Sequence, residues 1–462
     1  MVNRLQRIKQ VVVKGADGDA RLPRVTSNGG LVLAQALAQR RGLWGRIERD
    51  FPRRKDPSQG FAVSAVLSAL CHGLLAGGRG FSATEPMRAD GPLLAMLGLE
   101  RAPSAETVEE VVKYVAEQPD GRDCANRVVA DNAAALIARS PLADMSACAG
   151  FVAAWADGSM LEVGGKKFDS IKVKESQSGQ MLVGSFVGPY ATGMDFALEG
   201  EGELTVARRL IEQTVERVLR PQKLMGKALF MLDSLYGNGP TLDQLESYPE
   251  KPAYAVGVMG LATAMRVAGE IPEALWRDTG EQPSRGWEAS GEAQAWLQCE
   301  GWPRKRTMLC KRWRKKGEFL WNHAALLTNL ASDEPRVALA MAAGRSFAEV
   351  VWDLYGHKQA MENQWKDLLI DMSLHHPPCA KAAVNAIFYA IAALAYNLSV
   401  GARRLGLGGK LKTMALWRLR RDFFQLAAHA SRHARVVTMR FLDAREWLTK
   451  ILLASMERLA RL

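Results

Sequence analysis

Residues 151–158, FVAAWADG, and residues 227–234, KALFMLDS, are two apolar segments that each carry an aspartate near the end. Both segments predict buried β-strands, because they are short, apolar and followed by small residues. Asp157 and Asp233 would then lie at the ends of strands, where open α/β sheets place their ligand sites. An aspartate in that position is more often a turn former. The pair therefore favours a functional site only modestly.

The sequence around the two aspartates predicts an α/β domain over about residues 150–259. FDSIKVKE and QMLVGSFVG alternate as strands on either side of a turn, SQSG. GELTVARRLIEQTVERVL is an amphipathic helix, and AYAVGV is a further buried strand. Three meander strands followed by alternating helix and strand predict a mixed sheet.

The regions on both sides of this domain have different patterns. Residues 1–149 predict a helical domain, with Ser104 as an N-cap, that either binds DNA or serves packing and dimerisation. Residues 260–345 predict a β-rich insertion with an exposed basic face. Its segments RTMLCKRWRKK and EFLWNHAALLTNL are strand-like and meet at a hairpin turn, Gly317–Glu318. Residues 346–400 predict further core helices, and residues 401–462 a basic helical region.

Charge points to the kind of partner. The chain has 462 residues and a net charge of +12, with +8 in residues 1–60, +7 in residues 301–320, +10 in residues 401–462 and −13 elsewhere. Such basic segments favour a polyanionic partner, either nucleic acid or an anionic membrane. A content of 48% hydrophobic and 24% charged residues excludes disordered and disulfide-scaffold classes.

One apolar run has almost the length of a membrane span. Residues Cys379–Ala402 include Lys381, Asn385 and Asn397 and are mostly Ala, which favours a buried core helix over a membrane segment. The six cysteines have no metal-binding spacing, and the N-terminus has no apolar leader. We therefore expect a reducing, cytoplasmic compartment and no membrane partner.

A helix near residue 360 supplies a third group of charged residues. In YGHKQAMENQWKDLL, residues recur at spacings of three and four along one helical face, namely Tyr355, Lys358, Glu362, Lys366 and Leu369. A carboxylate flanked by lysines one turn away on each side suits a site for metal ions and phosphates. A solvated face of ion pairs is the commoner interpretation of such a pattern.

These motifs resemble the DDE-type transposases of bacterial insertion sequences, cut-and-paste members of the IS-four superfamily. The resemblance covers nearly the whole chain and rests on ADGPLLAMLGLERAPSAETVEEVVKYV, AAWADGSMLEVGGKK, FMLDSLYGNGPTLDQLE and LYGHKQAMENQWKDLLIDMSLHHPPCAKAAVNAIFYAIAALAYNL. It implies a ribonuclease-H-like catalytic core whose catalytic and metal-binding residues would be Asp157, Asp233 and Glu362.

The third motif departs from the family at two positions. The family pattern is Tyr, two residues, Arg, three residues, Glu, six residues, Lys, and this chain matches it at Tyr355 and Glu362. Lys358 stands in place of the Arg and Leu369 in place of the Lys, for which Lys366 would substitute. A lysine keeps the charge but loses the bidentate fork of arginine, so the phosphate contacts of Tyr355, Lys358 and Lys366 would differ in detail.

The resemblance also implies a mechanism and partners. Two Mg²⁺ ions, or Mn²⁺, held by carboxylates would support cleavage of double-stranded DNA at terminal inverted repeats and attack of the 3′-OH on target DNA. Cleavage of two ends in one complex implies a homodimer on DNA, and the family implies a bacterial, nucleoid-associated protein. The alternatives are a nuclease of the same fold without strand transfer and a domesticated, non-catalytic DNA-binding protein.

Basic and aromatic residues outside the core are candidates for DNA contacts. Basic side chains neutralise phosphates, and an aromatic ring can stack on an unpaired base. The insertion supplies Arg312, Trp313, Arg314 and Lys315, and the C-terminal region supplies Arg420 and Arg421. For Trp313, a packing role in the hairpin is the more frequent alternative.

Overall fold

The computed structural model describes residues 10–14, 25–52, 60–145, 150–164, 167–174, 177–258, 261–433, 436–442 and 446–462. The helices α1 to α15 of these residues are, in chain order, Val32–Arg40, Leu43–Asp50, Val63–Ala76, Gly91–Leu97, Ala105–Ala116, Gly121–Ile137, Glu203–Thr214, Gly239–Ser247, Ala262–Gly269, Pro335–Met341, Phe347–Gly356, Gln359–Trp365, Ala382–Gly401, Leu416–Leu419 and Glu446–Ala460. The strands β1 to β14 are Gln10–Lys14, Val25–Thr26, Val152–Glu162, Ile171–Lys174, Gln177–Val187, Tyr190–Phe196, Ala228–Leu232, Ala253–Gly257, Arg277–Asp278, Trp287–Leu297, Arg306–Lys315, Asn322–Thr328, Ala428–His433 and Val436–Phe441. π-helical turns extend α7, α12, α13 and α14.

One mixed sheet of ten strands organises the molecule. Its order is β4, β5, β3, β7, β8, β12, β11, β10, β9, and β6 also pairs with β5. β5 runs antiparallel to β3, whereas β7 is parallel to β3 and β8 is parallel to β7. The expected α/β class with a mixed sheet is therefore confirmed.

The meander contains a strand that the sequence pattern did not indicate. β6 follows β5 after a tight turn and is buried throughout, whereas β4 is a short edge strand. The predicted turn SQSG is wrong in its described part, because β5 already begins at Gln177. β6 lacks a strand pattern because it buries Thr192 and Asp195. The Asp195 carboxylate is satisfied by Arg122 at 3.0 Å and Arg209 at 2.6 Å.

The insertion continues the same sheet. β12 pairs antiparallel with β8, and β11 lies between β12 and β10. The two predicted strands are confirmed as β11 and β12, and Gly317 in the connection has a φ of +85°, which favours glycine. β10 was not predicted, because its segment is rich in Gly, Glu and Trp. The predicted exposed basic face is partly wrong, since Arg306 and Arg312 are buried.

Helix α13 lies in the core and covers the edge of the sheet. Together with the π-helical turn that extends it, α13 forms the helix Ala382–Leu407. Among the described residues, this is the one helix with the length and composition of a membrane span. In its most apolar 18-residue stretch, 94% is buried inside the protein. The expected buried core helix is thus confirmed. Asn397 on α13 accepts a hydrogen bond from the Ala191 amide at 2.9 Å and donates one to its carbonyl at 2.8 Å. Its amide group thereby pairs with β6 as a neighbouring strand would.

The helices before residue 137 agree with the pattern of the sequence. Helices α1 to α6 lie between Val32 and Ile137. The predicted N-cap is confirmed, because the Ser104 hydroxyl accepts a hydrogen bond from the Thr107 amide at 3.2 Å. Helices α3, α5 and α6 pack against α13, so the N-terminal helices share the core of the rest of the chain.

A second, small sheet joins the two ends of the chain. Its order is β1, β14, β13, β2, with β1 parallel to β14. The prediction of helix for SRHARVVTMR is wrong in its described residues, 431–433 and 436–440, because β13 and β14 form an antiparallel pair there, and Ala434 and Arg435 lie outside the described residues. In β14 burial alternates, with Val437, Met439 and Phe441 inside, which is the period of a strand.

Candidate active site

Asp157 lies on β3 just beyond the point where this strand separates from β7. The pairing of β3 with β7 covers only Val152–Ala154, whereas its pairing with β5 continues to Glu162. On the β5 side Asp157 is opposite Gly184. One edge of β3 is therefore open next to Asp157, on the side where β7 ends.

Asp233 follows β7 directly, on that same side of β3. Its Oδ1 accepts a hydrogen bond from the Ser234 amide at 2.7 Å and caps the short 3₁₀ turn Ser234–Tyr236. The Lys358 ammonium lies 3.6 Å from its Oδ2, although the Asp233 side chain remains half exposed. The structure thus brings Lys358 to the second aspartate.

The electrostatic environment of Asp157 links these groups. The pKa of Asp157 is raised to about 6, chiefly by burial; among the neighbouring charges Lys358 lowers this pKa most, whereas Asp233 and Glu203 raise it. Asp157, Asp233, Glu203 and Lys358 therefore influence one another electrostatically at this edge of β3. Such a place suits a cationic ligand.

Tyr355 lies against the same acids. Burial raises the pKa of Tyr355 to about 12, and the carboxylates of Asp233 and Asp157 act in the same direction. The phenol fits because Gly257 has no side chain, since a Cβ there would be 2.8 Å from the Tyr355 hydroxyl oxygen. The single helix predicted from Tyr355 to Leu369 is wrong, because α11 ends at Gly356 and α12 begins only at Gln359. Tyr355 and Lys358 nevertheless both lie near Asp157 and Asp233.

Glu362 does not join the other two acids in this structure. It lies on α12 with an exposed side chain, and its carboxylate accepts a hydrogen bond from Gln359. Lys366, one turn later, is exposed as well. The predicted group of three acids is therefore only partly assembled.

The helix that carries Glu362 is nevertheless fixed to the sheet near Asp157. Gln364 accepts a hydrogen bond from the Trp155 indole at 3.2 Å and donates one to the Gly188 carbonyl at 2.8 Å. The Trp365 ring lies over Gly184, the residue opposite Asp157. Because Trp155 and Asp157 are two residues apart on one strand, α12 covers the face to which Asp157 belongs.

Glu203 is an acid of this region that the sequence pattern did not single out. It is the first residue of α7 and accepts a hydrogen bond from the Tyr236 hydroxyl at 3.0 Å. Tyr236 is fully buried and belongs to the turn that Asp233 caps. In the sequence, Glu203 resembles any acidic residue in the first turn of a helix. No signal distinguished it.

Carboxylate oxygens are the ligands that hard divalent cations prefer, so Asp157, Asp233 and Glu203 suit Mg²⁺ or Mn²⁺ by their chemistry. Among the described residues, no group of three or more His, Cys, Asp or Glu side chains is placed to hold a metal ion. The carboxylates of Asp157, Asp233 and Glu203 thus fit a divalent cation by their chemistry, but they do not converge on one point as the ligands of a bound ion would.

The insertion residues predicted to bind DNA have different environments. Arg312 is buried, forms an ion pair with Glu273, and lies over the rings of Trp276 and Trp321 at 4.5 and 4.2 Å. The Trp313 ring stacks on Trp287 with 5.0 Å between centroids. These contacts give Arg312 and Trp313 roles in the fold.

Two further insertion residues are closer to the surface. The Arg314 guanidinium lies 5.0 Å from the Trp321 ring centroid, and Lys315 is exposed at the end of β11. The loop after Lys315 carries Phe319, which is 93% exposed. Lys315 is thus the most accessible of the predicted DNA contacts in this hairpin.

The two C-terminal arginines also differ from each other. Arg420 donates hydrogen bonds to the carbonyl oxygens of Leu75 at 3.0 Å and Asp371 at 2.8 Å, so it links three segments of the fold. Arg421 is exposed, pairs with Asp422 at 2.7 Å and lies over the Trp417 ring. Arg421 remains accessible to a ligand, whereas Arg420 has a structural role.

Comparison with known proteins identifies the family. A family model described as a transposase DDE domain, group 1, matches residues 201–462. A solved structure described as a piggyBac transposase synaptic complex with hairpin DNA matches 88% of this chain and 81% of its own chain, at 14% identity and a TM-score of 0.36, too low to define a common fold. No relative is found among curated proteins. Because the family model covers more than half of the chain, the protein belongs to the DDE transposase family.

Proposed function

We propose that the protein is a DNA transposase that cleaves double-stranded DNA at terminal inverted repeats and joins the 3′-OH to target DNA by a cut-and-paste route. The observation that carries the proposal is the convergence of Asp157, Asp233 and Lys358 where β3 and β7 separate. The bacterial IS-four superfamily is the group whose motifs it resembles. A bacterial cytoplasmic, nucleoid-associated location is part of the same proposal.

A ribonuclease-H-like core is the fold we propose for the catalytic domain. The order β6, β5, β3, β7, β8 supports it, with three antiparallel strands followed by two that run parallel to β3. A helix, α7, connects β6 to β7, as parallel crossovers require. Asp157 then lies on β3, and Asp233 directly follows the neighbouring strand β7.

We propose that Asp157, Asp233 and Glu362 hold the divalent cations of the reaction. When bound, Mg²⁺ or Mn²⁺ would lower the pKa of a water and neutralise charge on the phosphate oxygens. Glu362 lies on α12, which contacts the sheet through Gln364 and Trp365, and its approach to Asp157 when the complex assembles is part of the proposal.

Cationic and aromatic residues around the acids would hold the DNA. Lys358 lies beside Asp233 and is positioned to contact the scissile phosphate, and the exposed Lys366 lies two turns further along. We propose that Lys315 and Arg421 contact the phosphate backbone, because both are exposed. Assembly as a homodimer on two DNA ends, with the N-terminal helices contributing to DNA binding or dimerisation, completes the proposal.

Strand cleavage by acid variants tests the proposal directly. Asp233→Asn and Glu362→Gln should each lower cleavage of inverted-repeat DNA in Mg²⁺ by at least a hundredfold while DNA affinity changes less than threefold. The exposed Asp333→Asn variant is the matched control and should cleave normally. Retained cleavage by Asp233→Asn would contradict the assignment. Cleavage by the wild type without joined products would favour the nuclease, and DNA binding without cleavage would favour a non-catalytic protein.

A further inference from the structure

Glu203 connects the two strands that carry the aspartates. Its Oε1 accepts the hydrogen bond of the Tyr236 hydroxyl at 3.0 Å, and Tyr236 is fully buried. Tyr236 ends the 3₁₀ turn that begins at Ser234 and is capped by Asp233. The carboxylate of Glu203 therefore holds the far end of the turn that supports Asp233.

The same carboxylate lies against β3. A Cβ built on Gly158 would be 2.3 Å from Glu203 Oε1 and 2.5 Å from Glu203 Cδ, so the carboxylate occupies the space that any side chain at position 158 would need. Gly158 is the residue after Asp157. Glu203 is thus in contact with both chain segments of the proposed active site, next to Asp157 on one side and through Tyr236 on the other.

The charge of Glu203 reaches Asp157, because its negative charge is among those acting on that carboxyl group. An uncharged acceptor such as a glutamine amide would satisfy the Tyr236 hydroxyl equally well. Carboxylates near one another attract cations, and the Lys358 ammonium, 3.6 Å from Asp233, is already one of them.

We propose that Glu203 is a positioning residue of the active site, which holds the Asp233 turn against β3 through Tyr236 and adds a carboxylate charge that increases the affinity of Asp157 and Asp233 for divalent cations. This inference rests on the proposed function of the two aspartates. Glu203 would act through its hydrogen bond with the Tyr236 hydroxyl and its contact with the Gly158 backbone, without binding the cation itself. Groups in such outer positions typically change metal affinity by ten- to a hundredfold.

A titration of the full chain with Mn²⁺ in the absence of DNA tests the proposal. The free Mn²⁺ is measured by electron paramagnetic resonance. Glu203→Gln should bind Mn²⁺ about tenfold more weakly than the wild type. Glu203→Asp, which keeps the charge, should recover most of that affinity, and Tyr236→Phe should show a smaller loss. In cleavage assays, Glu203→Gln should need about tenfold more Mn²⁺ for half-maximal rate, with the rate at saturating Mn²⁺ closer to normal.

Glu212→Gln is the matched control, because it removes an exposed carboxylate from the same helix. Wild-type Mn²⁺ affinity in folded Glu203→Gln would overturn the proposal. If Glu203→Gln does not fold, the Mn²⁺ affinities of Glu203→Asp and Tyr236→Phe decide. A loss of affinity in Glu203→Asp as large as that in Asp157→Asn would show that the shape of the side chain matters and would overturn the role of its charge. Unchanged Mn²⁺ binding by Asp157→Asn would contradict the proposed metal site itself, which separates that failure from failure of the role of Glu203.

Discussion

The ring of Trp365 lies over Gly184, and a Cβ added to Gly184 would be 3.0 Å from the Trp365 Cη2 atom. Gly184 is opposite Asp157 in the sheet, and Trp365 is three residues after Glu362 on α12. This contact sets how closely the helix with the third acid approaches the strand with the first.

Gly184→Val should therefore displace α12. We expect a loss of about 1–3 kcal/mol in the free energy of unfolding, since a larger side chain in a packed position forces its neighbours to shift. Urea denaturation measures the loss, and cleavage at saturating DNA should fall more than the fraction folded. Gly164→Val is the control, because nothing lies within 4 Å of a Cβ there. Equal effects of the two substitutions would refute the contact.

Asp157→Asn should make the metal-free protein more stable, and the gain should depend on pH. Burial and neighbouring acids raise the pKa of Asp157 from 3.8 to about 6, so the folded state binds the proton of this carboxyl group more tightly than the unfolded state does. As the pH rises from 3.8 to about 6 and Asp157 ionises, the free energy of unfolding therefore decreases. Removing the group should stabilise the protein by up to about 3 kcal/mol above pH 7 and by little at pH 4. Urea unfolding from pH 4 to 8 without divalent ions measures it, and a gain equal at both ends would contradict the shift.

Lys315→Ala and Arg312→Ala should separate DNA binding from stability. Lys315 is exposed, so its loss should weaken binding to inverted-repeat DNA and reduce the slope of log K against log salt by about 0.9 per phosphate contact. Arg312→Ala should lower Tm by several degrees, because the guanidinium is buried between Trp276 and Trp321. Salt titration and thermal denaturation of both variants check this. A reduced salt slope with normal Tm in Arg312→Ala would reverse the assignment.

Asn397→Ala should destabilise the core by about 1–3 kcal/mol. The substitution leaves the amide and carbonyl of Ala191 on β6 without their side-chain partner in a buried place. Chemical denaturation gives the value, and Asn363→Ala, at an exposed position of α12, is the control. A loss no greater than the control would mean that water satisfies the edge of β6.

The sequence predicted the parts of the fold that depend on local patterns. Apolar runs predicted β3, β7 and β8, and residues spaced three and four apart predicted helix around Glu362. β6 was missed because its buried Asp195 is neutralised by Arg122 and Arg209, which are distant in sequence. β13 and β14 were misassigned as helix because β14 pairs with β1, more than 400 positions earlier in the chain.

The site was predictable to the same extent. Asp233 follows β7 directly, as its apolar run predicted, whereas Asp157 lies within β3 and not at its end, because the strand continues to Glu162 on its pairing with β5. The spacing that singled out Tyr355 and Lys358 predicted one helix, which the structure divides at residues 357–358. Glu203 was not predicted, because its proximity to Gly158 and Tyr236 arises only when α7 packs on the sheet. The burial of Arg312 also depends on contacts with Trp276, which no local pattern records.

The small sheet has a consequence for biosynthesis. β1 pairs in parallel with β14, from Gln10 with Val436 to Lys14 with Arg440. β1 can thus pair with β14 only after the ribosome has translated more than 400 further residues. A product terminated before β14 would expose an unpaired β1, so this sheet marks translation through β14, and an exposed β1 would be a target for proteolysis or chaperone binding.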